Sequence, residues 1–259
     1  MLGERIMIRV GGKRVVLSSV AVVVLACLAA VVAIRCQSHG PMPQGLPTAA
    51  PEGPGWVNLL DPEHAGGWEN VTDDSNIFGI SDGVLHIYGR TIYPLRYVAY
   101  TPEEFGDFDL HLEFKVRHRA NSGVFLRANP SDPVARGFEI QVLGDHGKLP
   151  SKNSCGAIYD VVTPMFNMSR PPREWNSYDI SVRGKQVTVL MNGWKIIETD
   201  FALMTEPLGK FKVAYTDLPL QGLIALQDHG GEVWYRNIYI RKHTANATMS
   251  DSPQRDEPN

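Results

Sequence analysis

Cysteine is scarce in this 259-residue chain. Cys27 lies inside an apolar run, Cys36 just after it, and Cys155 stands alone in the remainder, so no disulfide framework can form within the body of the protein. Cys155, next to Gly156, reads more readily as a small packing residue than as a nucleophile. Positive charge is also scarce beyond the N-terminus. Residues 1–35 hold Arg5, Arg9, Lys13, Arg14 and Arg35 against Glu4, which is +4. With a net charge of −3 for the whole chain, the rest carries −7. Such a body repels phosphate backbones and excludes nucleic acid as a partner. No GxSxG elbow, P-loop or GxGxxG fingerprint occurs. No helical stripe and no internal repeat is visible either.

One long hydrophobic run is present. Residues 15–34, VVLSSVAVVVLACLAAVVAI, carry no charge and are long enough to cross roughly 30 Å of hydrocarbon as a helix. The basic residues before it place 1–14 in the cytoplasm and the body of the protein outside, held by a membrane anchor. If Val31–Ala33 serves as a cleavage site, the run is a signal segment and the product is secreted. Residues 37–54, rich in Pro, Gly and Ala, read as a linker, and 244–259 as a disordered tail. One folded domain is expected over 55–243. Asn70, Asn167 and Asn246 sit in N-x-S/T sequons, which matter only in a host that glycosylates exported chains.

Within that domain, apolar and polar residues alternate at period two. FDLHLEFKV puts Phe108, Leu110, Leu112, Phe114 and Val116 on one face and Asp109, His111, Glu113 and Lys115 on the other. GVFLR, GFEIQVL, YDISVRG, GLIALQD and VWYRNIYIR behave alike, and VTVLMNGWKIIE predicts a hairpin around Asn192-Gly193. The expectation is all-β: a jelly-roll sandwich of two antiparallel sheets, preceded by one N-terminal transmembrane helix.

Strand parity then selects candidate site residues. With Phe138, Ile140 and Val142 in the core, Glu139 and Gln141 stand on the opposite face, and Arg127 shares a face with Phe125 on the preceding strand. A carboxylate, an amide and a guanidinium together can bind hydroxyls and a carbonyl. Equally, Arg127 and Glu139 could form a cross-strand ion pair on a solvated face. Gln227, His229, Asp145, His146, Glu174, Trp175 and Asn176 lie at strand ends, where ligand contacts gather. A divalent metal held by His111, Glu113, His229 and Asp145 is an option without diagnostic spacing. Trp175, Trp194 and Trp234 could stack on sugars, but the sandwich core is the default place for each. The paired Glu-x-Asp-x-Glu strand of sandwich-fold glucanases is missing, with Glu113 the single glutamate of FDLHLEFKV and Glu139 that of EIQV, which gives little support to two-carboxylate glycoside hydrolysis.

The ordered series GWVNLLD, DGVLHIYG, FGDFDLHLEF, NSGVFLR, GFEIQVLGD, CGAIYD, REWNSYDI, MNG, GLIALQDHG and RNIYI, over residues 55–241, resembles the 3-keto-disaccharide hydrolase family. The resemblance implies a concanavalin-A-like jelly roll. It also implies hydrolysis, or elimination and hydration, of 3-keto-glycosides supplied by a separate sugar 3-oxidoreductase. A C3 ketone acidifies the C2 proton, so one base and one electrophile suffice. On that reading Glu139 is the base, Arg127 or a metal stabilises the enolate, and His229 protonates the leaving oxygen. Gln141, Gln227, Asn121, Glu113, His111, Asp145, Glu174 and Trp175 would contact substrate. The alternative is a lectin-like surface module with the same groove and no chemistry.

Overall fold

Phe108, Leu110, Leu112, Phe114 and Val116 are all buried, as the alternation along their strand requires. That strand is the middle of the larger of two sheets. The computed structural model describes residues 5–10, 13–18, 45–90, 92–129, 136–209 and 212–243. It divides into two units, Met1–Pro43 and Gln44–Asn259.

In the first unit, β1 (Arg5–Val10) pairs antiparallel with β2 (Lys13–Ser18). Ile6, Ile8 and Val10 in the first segment and Val15 and Val16 in the second favour strand locally. The expected transmembrane helix is therefore corrected at its start, because residues 15–18 are strand. Residues 19–34 lie outside the described residues. Among the described residues no helix is long and apolar enough to cross a membrane.

The second unit is a sandwich. Its larger sheet runs β13 (Trp194–Asp200), β12 (Gln186–Met191), β11 (Trp175–Arg183), β8 (Asp107–Val116), β17 (Val233–His243), β6 (Val84–Ile87), β5 (Phe78–Ser81), with β3 (Trp56–Asn58) also on β17. The smaller runs β10 (Phe138–Leu143), β9 (Asn121–Ala128), β16 (Gly222–Asp228), β7 (Arg96–Phe105), β4 (Trp68–Asn70). A short ribbon pairs β14 (Pro207–Leu208) with β15 (Val213–Ala214), and all these pairings are antiparallel. The chain crosses between sheets from β7 to β8, β8 to β9, β10 to β11 and β16 to β17, which is jelly-roll wrapping. Val124, Leu126, Phe138, Ile140 and Val142 meet the β8 set in one core. The hairpin at Asn192-Gly193 has φ of 51° and 79°, the pair of positive values that a two-residue primed turn needs.

Residues 45–50, inside the stretch read as linker, lie against the larger sheet. Thr48 Oγ1 donates to Asp179 Oδ2 at 2.6 Å, and its amide donates to Ser177 Oγ at 2.8 Å. Residues 37–44 and the expected tail, 244–259, fall outside the described residues. Cys155 is buried against the Tyr178 hydroxyl at 3.3 Å, and burial pushes its thiol up to about 12, so it is an inert packing residue.

On the outer face of the larger sheet, Asp109 accepts from Arg183 at 2.7 Å, His243 at 2.8 Å and Arg241 at 2.9 Å. Burial pushes its carboxyl up, but the bonds from Arg241, His243 and Arg183 outweigh it and hold the group at about 2. A carboxyl held below its unfolded value stabilises in full above about pH 4, and that stability is lost as pH falls through about 2. Asp109→Asn is expected to cost on the order of 1–2 kcal/mol at pH 7 and progressively less towards pH 2. Urea midpoints measured across that range check it; a penalty that does not change with pH would contradict the assignment.

Candidate active site

The outer face of the smaller sheet gathers polar side chains in ladder rows. Register sets Glu139 opposite Phe125 and Gln141 opposite Gly123. It sets Ala225 opposite Phe125 and Ala99, and Gln227 opposite Tyr97. Tyr97, Ala99, Phe125, Ala128, Leu223 and Ala225 form an apolar cluster on this face, separate from the main core. Glu139, Gln141 and Gln227 are each 5% exposed or less. They are therefore not the solvated face of an ordinary strand, and the cross-strand ion pair with Arg127 does not form.

Gly123 makes room for the carboxylate. A methyl group there would stand 2.8 Å from both Cγ and Cδ of Glu139 and nearer still to Oε1. A glycine inside a strand weakens it, and here the return is space for an acid lying across the strand. Gln227 Nε2 donates to the Tyr97 hydroxyl at 3.4 Å. The Oε1 of Gln141 and the Oδ1 of Asn121, on the same face, are buried without a protein partner. Two buried amide acceptors left open on one face suit ligand hydroxyls.

Tyr159 and Tyr97 had no assigned role in the sequence. The segment after β10 lies along its edge, with Gly156 N donating to Gln141 O at 2.9 Å and Tyr159 N to Glu139 O at 3.0 Å. Burial first, then the negative charges of Glu139 and Asp160, push the Tyr159 phenol up, so it stays protonated at neutral pH. Its alternation with Ile158 was visible in CGAIYD, but not its pairing with β10. His229 follows β16 at the far end of the face, with its ring edge against Tyr93, centroids 5.5 Å apart. Ladder spacing of ~6.8 Å per row and ~4.8 Å per strand puts its Cα roughly 8 Å from that of Gly123, over which the Glu139 carboxylate lies.

Several expected members are elsewhere. Arg127, with φ of 51°, interrupts the pleat, and its guanidinium turns to the other sheet. It donates to Gly106 O at 3.0 and 2.9 Å, to Gly184 O at 2.6 Å and to Asp107 Oδ1 at 3.1 Å. It is a strut, with no donor pointing toward Glu139. His111 and Glu113 have the predicted parity but belong to the larger sheet. There His111 Nδ1 meets Asp179 at 2.7 Å, and Glu113 accepts from Arg236 at 2.7 Å and Asn237 at 2.6 Å. Asp145 anchors the loop after β10, accepting from Cys155 N at 3.2 Å and Asn167 Nδ2 at 3.1 Å, and burial pushes its carboxyl up. Glu174 pairs with Arg170, while Trp175 takes Arg236 and Lys115 over its ring at 4.1 and 4.8 Å. His111, Glu113, His229 and Asp145 thus do not converge. Among the described residues no group of three or more His, Cys, Asp or Glu side chains could hold a metal ion. Trp175, Trp194 and Trp234 lie outside the core, and Trp68 is the buried tryptophan.

The fold is a jelly-roll sandwich whose smaller sheet carries one carboxylate, Glu139, on a face with the open amide oxygens of Gln141 and Asn121. Residues 55–241 match the 3-keto-alpha-glucoside-1,2-lyase-like domain, and the chain belongs to that family, a glycosidase-type enzyme family. It is 27% identical over 226 residues to a 3-keto-disaccharide hydrolase of Bacteroides thetaiotaomicron, covering 72% of this chain and 78% of that one. A crystal structure of a candidate glycosyl hydrolase from Parabacteroides distasonis superposes with a TM-score of 0.63 at 28% identity, covering 73% of this chain and 99% of that one. A second from the same organism gives 0.58 at 26% identity, over 79% and 93%.

Proposed function

We propose that the protein cleaves 3-keto-glycosides by elimination, with Glu139 as the base that removes the C2 proton. The observation that carries this reading is the Glu139 carboxylate lying over Gly123, beside the open amide oxygens of Gln141 and Asn121. Glu139 takes the C2 proton, and the C–H electron pair forms C2=C3 with the charge on O3. The ketone then re-forms as C1=C2 develops and the C1–O bond breaks with its electron pair. The leaving oxygen acquires a proton, and water added across C1=C2 completes net hydrolysis. No oxocarbenium ion forms, so a second matched carboxylate is unnecessary.

With Arg127 committed to the turns of the other sheet, the donors available to O3 are the amides of Gln141 and Gln227 and the Tyr97 hydroxyl. Tyr159, protonated and beside Glu139, is a second donor to the leaving oxygen alongside His229, which lies one ladder row beyond the Glu139 carboxylate's seat over Gly123. The substrate must come from an oxidoreductase that oxidises a C3 hydroxyl. The uncharged residues 19–34, with the basic residues before them, support an extracytoplasmic place for the reaction.

Incubation with 3-keto-glucosides should release the aglycone, with a transient enone absorbance in the ultraviolet. Sugar binding without turnover would overturn this reading in favour of the lectin-like module. Gly123→Ala should lower kcat/KM about 10²-fold by displacing the carboxylate on the order of 1 Å, while leaving the unfolding midpoint unchanged or slightly higher. Full activity in a stable Gly123→Ala protein would mean that the carboxylate's seat is unimportant.

A further inference from the structure

Beyond the His229 end of the candidate face the sandwich opens into two adjoining cavities of about 700 and 410 Å³, which share Gly89, His118 and Gly231. Arg117, His118 and Arg173 line the larger; Arg90, His118, Arg119 and His229 line the smaller. Four arginines thus line these two adjoining cavities in a chain whose residues after 35 carry a net charge of −7. Elsewhere on the domain arginines answer carboxylates: Arg96 faces Asp73, Arg183 and Arg241 face Asp109, and Arg236 faces Glu113. Here the one lining carboxylate, Glu232, is taken by Arg117 at 2.5 Å and His86 at 3.3 Å. Among the described residues Arg90, Arg119 and Arg173 have no carboxylate partner, and Arg90 rests over the Tyr88 ring at 4.9 Å.

The floor is fixed. Gly231 N donates to Gly89 O at 3.3 Å, and a side chain at Gly89 would run into the Gly231 backbone. This close approach holds the loop after β6 against the loop before β17 and fixes the backbone floor of the hollow, with the four exposed arginines on its rim. An ordinary solvated surface would scatter such charges or pair them with the domain's surplus carboxylates.

The geometry points to a subsite for an oxyanion, a carboxylate or phosphate, carried on the leaving part of the glycoside, with the 3-keto ring over Glu139 and the acidic group among Arg90, Arg119 and Arg173. This rests on the glycoside-cleaving reading and adds the substrate class: acidic glycosides. A guanidinium fork binds either anion in two-point fashion.

The test compares kcat/KM of the full chain on 3-keto-glucosides whose leaving sugar is neutral glucose, glucuronate or glucose 6-phosphate, at low and high salt. The acidic substrates should be preferred by roughly tenfold or more, with the preference shrinking in salt. The doubly substituted Arg119→Gln, Arg173→Gln protein should lose that preference and keep its turnover of the neutral substrate. The carboxylate and phosphate arms identify which anion the cleft takes. Equal rates on neutral and acidic substrates, or a preference that survives both substitutions, would overturn the assignment. If no substrate is cleaved, the glycoside reading fails, and titration with glucuronate and glucose 6-phosphate then decides the cleft on its own. Binding to the wild type and not to the double variant upholds it; no binding to either rejects it.

Discussion

Glu139→Gln is expected to lower kcat/KM on a 3-keto-glucoside by about 10²- to 10⁴-fold, the range set by removing a positioned base, while the unfolding transition stays in place. The amide has the shape of the acid, so it fits the space over Gly123 and disturbs neither the core nor the apolar cluster of the face. It cannot accept the C2 proton at any pH where the ketone survives. The effect should therefore appear in kcat as much as in kcat/KM, because what is lost operates in the transition state. Binding of an unreactive glucoside should persist, held by the amides of Gln141, Gln227 and Asn121. A Glu139→Gln protein with full turnover and unchanged fold would remove this carboxylate from the chemistry and leave the face as a binding surface.

How far the sequence reached is clearest from strand parity. Alternation within FDLHLEFKV and GFEIQVL sorts core from surface correctly, because a side chain's face follows from its position in a regular pleat. The Asn192-Gly193 hairpin was equally legible, since few other dipeptides tolerate two positive φ values in succession. Parity says nothing, however, about which sheet a strand joins. His111 and Glu113 face outward as expected, but on the larger sheet, and Glu139 faces outward on the smaller one. Long-range pairing decides that, and no local pattern encodes it. Parity also assumes an unbroken ladder. At Arg127 the left-handed backbone, beside the register shift between Leu223 and Ala225, breaks the ladder and sends the side chain to the other face. Tyr159 escaped notice because CGAIYD holds an edge by isolated bridges, Ile140 to Ile158 and Ile158 to Val162, which leave no periodic trace.

Arg127 supplies the sharpest contrast between a residue that looks catalytic in sequence and one that holds the sandwich together. Its guanidinium is 3% exposed and bridges three places: the β7–β8 connection at Gly106, the Asp107 carboxylate and the β11–β12 turn at Gly184. Asp107 Oδ1 in turn accepts from Gly184 N at 2.8 Å, which closes the network. Burial weighs against the guanidinium's charge, and Asp107 offsets it, so the group is retained for what it ties together. Arg127→Ala would orphan two carbonyls and a half-buried carboxylate at one end of both sheets, with an expected cost of about 3–5 kcal/mol. Arg127→Lys keeps the charge but cannot spread donors over three acceptors in fixed directions, so it should recover less than half of that loss. Denaturant midpoints for the two variants, read alongside kcat/KM per folded molecule at low temperature, separate the roles. A strut predicts large shifts in midpoint with near-normal turnover in the folded fraction. A protein as stable as the wild type but inactive would instead return Arg127 to the enolate oxygen, and would require its guanidinium to swing from the turns of one sheet to the outer face of the other.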